Sequence, residues 1–116
     1  MDLGNDYLSV CKLNYSKGIT PSNNESKSNI DCIEILEIGK NYINEFGFER
    51  FSYFLSEGQY LVALWTAHII LHIVNANVKI VKDSIDTIKE YADNLLNLKV
   101  SKEEQEWLDI NLYKYE

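Results

Sequence analysis

One proline, Pro21, and five glycines in 116 residues leave too little turn punctuation for an all-β chain, which needs a turn about every eight to twelve residues. Cys11 and Cys32 are the only cysteines, too few for a disulfide framework and without the C-x-x-C spacing of metal or redox sites. Both are expected to be reduced and partly buried. Arginine is represented by Arg50 alone. With 11 basic residues against 18 acids, the net charge is −7. That balance argues against a nucleic-acid binder, because neutralising phosphates takes a lysine- and arginine-rich surface, and it disfavours docking on anionic lipid. The first residues, MDLGND, carry acids where a signal peptide has positive charge, and no apolar h-region follows. The expectation is a cytoplasmic protein with no membrane association.

What is present is an ordinary globular balance, 46% hydrophobic and 25% charged residues. At this length the chain makes one domain and can bury a core without metal or disulfide support. The most apolar segment is 59–74, hydrophobic on nearly every face and interrupted by Gln59, Thr66, His68 and His72. Such a helix is enclosed by other helices or by a membrane, and it falls short of the roughly 20 apolar residues that span a bilayer. It reads as the central helix of an all-α domain.

Periodicity supplies the rest. Leu3, Tyr7, Val10, Cys11 and Tyr15 recur at helical spacing over 3–15. The polar segment 17–29 is a long loop, mobile or functional. A second helix starts at Ser28 or Asn29, carries Cys32, Ile35, Leu36, Tyr42, Ile43 and Phe46 on its apolar stripe, and stops at Gly47. A short third covers 48–57, with Phe48, Phe51, Phe54 and Leu55 inward, and Gly58 ends it. After the central helix the chain loosens at 75–77. A fifth helix runs over 79–97, with Val81, Ile85, Ile88, Ala92, Leu95 and Leu96 inward. Ser101 and Glu104 form a capping box that opens a sixth, with Trp107, Leu108, Leu112 and Tyr115 on its apolar side. Five to six helices with short connections predict an irregular antiparallel hairpin stack or bundle around 59–74.

Catalytic and metal signals are weak. His68 and His72 stand four apart on one helix face, as two zinc ligands do. The metalloprotease motif puts glutamate after the first histidine, whereas this chain has Ile69, and no acid in that helix supplies a third ligand. The expectation is a histidine bonded to a neighbouring helix, with no metal and no cofactor. There is no G-x-S-x-G, phosphate-cradling loop or dinucleotide fingerprint. A ribonuclease pairing of arginine and histidine on one helix is ruled out, since Arg50 precedes the central helix. No enzymatic activity is expected.

The acids are more informative. Asp31, Glu34 and Glu37 step along the second helix, and Glu103, Glu106 and Asp109 along the sixth, with Glu104 adjacent. Each row forms a slanted ridge. One reading is helix stabilisation, since acids in a first turn oppose the macrodipole and contribute about 0.3–1 kcal/mol each. The other is a grip on a basic partner. Eight tyrosines and two tryptophans favour recognition, tyrosine having an apolar body and a polar tip. Tyr53, Tyr60, Tyr91, Tyr113 and Tyr115 are expected to reach the surface, the last two beside the acids of the sixth helix.

The segment from Phe54 to Leu71 (FLSEGQYLVALWTAHIIL), followed by Glu106, Trp107 and Leu108, resembles small α-helical bacterial proteins, often HEAT-like in packing, with a W-x-A-H-x-x-L helix. Some of these are immunity proteins of contact-dependent inhibition or polymorphic toxin systems. The resemblance covers 54–108 and departs from the family pattern at His72, where glutamate is frequent. It implies an immunity protein that neutralises a cognate toxin domain by blocking its active site or substrate groove. An acidic inhibitor suits a basic nuclease toxin. The candidate contacts are Asp31, Glu34, Glu37, Glu103, Glu104, Glu106, Asp109, Tyr113 and Tyr115. The alternative is a helical scaffold or adaptor whose acidity serves solubility; a third is a metal protein or enzyme using His68 and His72.

Overall fold

Four helices open on a side chain that accepts a backbone N–H: Asp2 from Gly4 and Asn5, Asn29 from Asp31, Asn77 from Ile80 and Asn97 from Val100. These caps set the frame of the computed structural model, which describes residues 2–23, 29–73 and 76–115. Helix α1 spans Leu3–Ser16, α2 Ile30–Phe46, α3 Phe48–Ser52, α4 Val62–His72, α5 Val78–Asp93 and α6 Leu98–Asn111. Short 3-10 turns follow α3 at Tyr53–Ser56 and α6 at Leu112–Tyr115. There is no strand among the described residues, so the chain is an all-α domain of six helices. None of its described helices is long and apolar enough to cross a membrane. Ser28, the loop residues 24–28, Val74 and Asn75 lie outside the described residues.

Helix α4 packs on α1, α2, α3 and α5, while α1 packs on α2 and α5 on α6. Val62 to Ala67, Ile69 and Ile70 are all buried, as an all-round apolar helix requires. Tyr7, Tyr42, Phe51 and Phe54 form an aromatic cluster with ring centroids 5.0 to 5.7 Å apart. A polar contact is built into this core. Thr66 spends its hydroxyl hydrogen on the Val62 carbonyl at 2.7 Å, so the Tyr7 hydroxyl is the donor to Thr66 Oγ1 at 2.8 Å. Burial raises the Tyr7 phenol well above its ordinary pKa, and burial likewise pushes the Cys11 thiol up to about 12. The described residues contain no disulfide, and both Cys11 and Cys32 are buried.

Two glycines matter individually. Gly47 ends α2 with φ of +90°, in the region that favours glycine. Gly39 is the close-approach point of α2 and α4: a Cβ there would lie 2.9 Å from Ile69 Cγ2.

Three sequence expectations need correction. The central helix begins at Val62, not at 59, because Tyr60 and Leu61 adopt left-handed backbone (φ 53° and 58°) and break the turn. Helix α5 stops at Asp93. Asn94 Oδ1 then accepts the Leu96 N–H, and this tight turn leaves Leu95 and Leu96 71% and 97% exposed. Asn97 caps α6, so Ser101 and Glu104 are not its capping box. Ser101 instead bonds back to the Ala92 carbonyl, and Glu104 reaches α4.

Candidate functional site

Residues 17–23 are a strap fastened across the domain. Ile19 and Thr20 are buried, and the Ile19 N–H donates to the Asn14 carbonyl at 2.9 Å. Lys17 Nζ pairs with Asp31 at 2.9 Å. Glu103 takes the Thr20 hydroxyl on one carboxylate oxygen at 2.7 Å and the Asn23 amide on the other at 2.9 Å. Lys99 Nζ adds a bond to the Gly18 carbonyl. This part of the predicted loop is thereby held by α2 and α6.

Below the strap, His68 joins α4 to α6. Its Nε2 lies 2.6 Å from Glu104 Oε1 and 3.1 Å from the Ser22 hydroxyl. Glu104 is fully buried, and its Oε2 has no partner among the described residues. Serine, histidine and glutamate together suggest a nucleophile relay, but the geometry is wrong for one. A relay uses both imidazole nitrogens, one taking the serine proton and the other held by the acid. Here both partners meet Nε2. A carboxylate only accepts, so the Nε2 hydrogen belongs to the Glu104 contact and leaves no base for Ser22. The cluster is a structural bridge, matching the expectation of a histidine bonded to a neighbouring helix.

Beside the bridge a cleft of about 480 Å³ opens between α2, α4 and α6. Trp65, His68, Leu71 and His72 line it from α4, Cys32 and Leu36 from α2, and Trp107 and Asn111 from α6, with Pro21, Lys114 and Tyr115 completing the wall. The His68 ring meets Trp107 edge-on at 4.8 Å, and Tyr115 lies nearly parallel to Trp107 at 6.3 Å. The Tyr115 hydroxyl donates to the Leu71 carbonyl at 3.4 Å, and burial raises its pKa. Both tryptophans of the chain therefore serve one cleft. Periodicity placed Trp107 on the inward face of its helix, but nothing local in the sequence marked the cleft that it and Trp65 share.

The candidate contact residues separate into two groups. Asp31, Glu103 and Glu104 are occupied internally by Lys17, by the strap and by His68. Glu104 has no surface to offer a partner. Glu34, Glu37, Glu106 and Asp109 are exposed and have no ion-pair partner among the described residues, in contrast to Asp83 and Asp86 of α5, which pair with Lys79 and Lys82. Tyr113 is 72% exposed, whereas Tyr115 is half-buried in the cleft wall. His68 and His72 both line the cleft, yet no three histidine, cysteine, aspartate or glutamate groups converge as a metal site among the described residues. Ser22, Thr20 and Asn23 were not identified as bonding residues in the sequence; their polar loop composition hid contacts across more than 40 positions. In comparison with known proteins, the chain matches no family model, no curated protein and no solved structure.

Proposed function

We propose that the chain is an immunity protein, which binds a basic toxin domain through the exposed acids of α2 and α6 and thereby covers that domain's active site or substrate groove. The observation that carries this reading is the set of outward acids Glu34, Glu37, Glu106 and Asp109, which have no ion-pair partner among the described residues. Exposed apolar side chains accompany them, Ile33 on α2 and Ile110 and Tyr113 beside the α6 pair. Charged rims around apolar and tyrosine contacts are the usual make-up of a protein interface. Unpaired acids also steer a basic partner and compete with its nucleic-acid substrate.

The test is association with the protein domain encoded beside this chain. A basic domain should form a stoichiometric complex and lose its toxicity. The association rate should drop as ionic strength rises past physiological, where the Debye length is about 8 Å. Reversing Glu106 and Asp109, or Glu34 and Glu37, to lysine should slow association by about tenfold or more. A complex indifferent to salt and to both reversals overturns the charge mechanism; a neighbour that does not bind overturns the immunity reading.

A second reading, a helical adaptor, draws on the exposed leucines at the α5–α6 turn. Leu95, Leu96 and Leu98 stand together there in solvent, and an apolar cluster of this kind marks interaction sites. Replacing them with serine should abolish partner binding under the adaptor reading and spare it under the acidic-contact reading.

A further inference from the structure

We propose that the cleft between α2, α4 and α6 binds a small planar aromatic carboxylate. This goes beyond the protein-partner reading, because it concerns the interior of the cleft and not the outward acids.

The first support is size and lining. About 480 Å³ falls within the range of roughly 300–1,000 Å³ that small-molecule sites occupy. Trp107 and Tyr115 offer partly exposed aromatic rings, and Leu36 and Leu71 add apolar lining. A planar ring gains most from such a lining by offset stacking and edge contacts.

The second support is charge. In a chain with 18 acids and net charge −7, no described lining residue is a carboxylate, while Lys114, His72 and Asn111 are all present. Lys114 Nζ donates to Asn111 Oδ1 at 3.1 Å, a neutral acceptor, and has no carboxylate partner among the described residues. An ammonium with donor capacity to spare, beside lining that holds no carboxylate among the described residues, selects an anion.

One molecule class satisfies both observations: a flat ring for the aromatic lining and an anionic oxygen pair for the Lys114 ammonium.

The test uses 2-naphthoate, its neutral counterpart 2-naphthamide, and acetate, followed by titration calorimetry and by the two indole N–H signals in proton–nitrogen correlation spectra. Naphthoate should saturate one site and move both indole signals together. The amide should bind at least about tenfold more weakly, and acetate should leave both indole signals in place at about 1 mM. Lys114→Gln, at an exposed position, should weaken naphthoate about fivefold while leaving the amide unchanged; Lys89→Gln should change neither. Trp107→Leu should weaken acid and amide alike, with its fold checked by circular dichroism. Absence of saturable indole shifts at about 1 mM naphthoate overturns the site. Equal affinity for acid and amide, or an unchanged naphthoate affinity in Lys114→Gln, overturns the anion selectivity and with it the proposal.

Discussion

His68 Nε2 and Glu104 Oε1, 36 positions apart in sequence, are 2.6 Å apart in space and form the buried polar link between α4 and α6. Helix α6 otherwise packs on α5, so this bridge and the Glu103 bonds to the strap tie it to the rest of the core. The contact also explains why the acidic row on α6 is not one surface: successive residues Glu103 and Glu104 turn inward while Glu106 and Asp109 face solvent.

Glu104→Ala should therefore destabilise the fold by about 1–3 kcal/mol, because it removes the buried acceptor of the His68 Nε2–H. Glu104→Gln keeps an acceptor in place and should cost about half as much. Urea denaturation followed by circular dichroism measures both. An alanine variant as stable as the parent would show that the bridge contributes nothing to folding.

Gly39→Ala is expected to be more damaging than its helical position suggests. Alanine has the better helix propensity by about 1 kcal/mol, so a solvent-facing site would gain stability. At residue 39 the new methyl meets Ile69 Cγ2 at 2.9 Å and Cδ1 at 3.0 Å, and Ile69 is itself fully buried. Overpacking of this kind costs about 1–3 kcal/mol, which outweighs the propensity gain. A rise in melting temperature for the variant would mean that α2 and α4 separate without penalty.

Legibility in the sequence follows the range of the interaction. The all-α class, the central apolar helix and the Gly47 stop were readable because they rest on periodicity and local backbone chemistry. The end of α5 was not. Leu95 and Leu96 continue the apolar pattern of the helix, and only the Asn94 turn and the Asn97 cap interrupt it. Likewise Ser101 and Glu104 had the spacing of a capping box, but their partners, Ala92 and His68, come from other helices. Acids on a ridge look alike in sequence whether they face solvent or a buried histidine.

The corrected α5–α6 turn has a direct check. Leu96, 97% exposed, should tolerate Leu96→Ser within about 0.5 kcal/mol. Leu64→Ala, fully buried on α4, should cost about 2–5 kcal/mol. A large loss for Leu96→Ser would restore the sequence-based assignment of that residue to the core.

Stability should fall on the alkaline side, and the core dictates the sign. Burial raises Cys11 from its ordinary 9.0 to about 12 and holds Tyr7 well above 10.0. Both groups keep their proton in the folded state at a pH where the unfolded chain loses it. The unfolded state then binds fewer protons, and unfolding becomes more favourable as pH rises. The contribution is intact below pH 9.0 and is lost between 9.0 and about 12 for Cys11, with Tyr7 joining above 10.0. While one group is in this regime the slope is about 1.4 kcal/mol per pH unit. Tyr7→Phe should cost about 1 kcal/mol at neutral pH through the lost bond to Thr66, and should remove the Tyr7 part of the slope above pH 10. Chemical denaturation from pH 8 to 11, with tyrosinate absorbance recorded alongside, gives both quantities. A Tyr7→Phe variant with the parent's full alkaline slope would show that the Tyr7 phenol ionises as readily in the folded protein as in the unfolded chain.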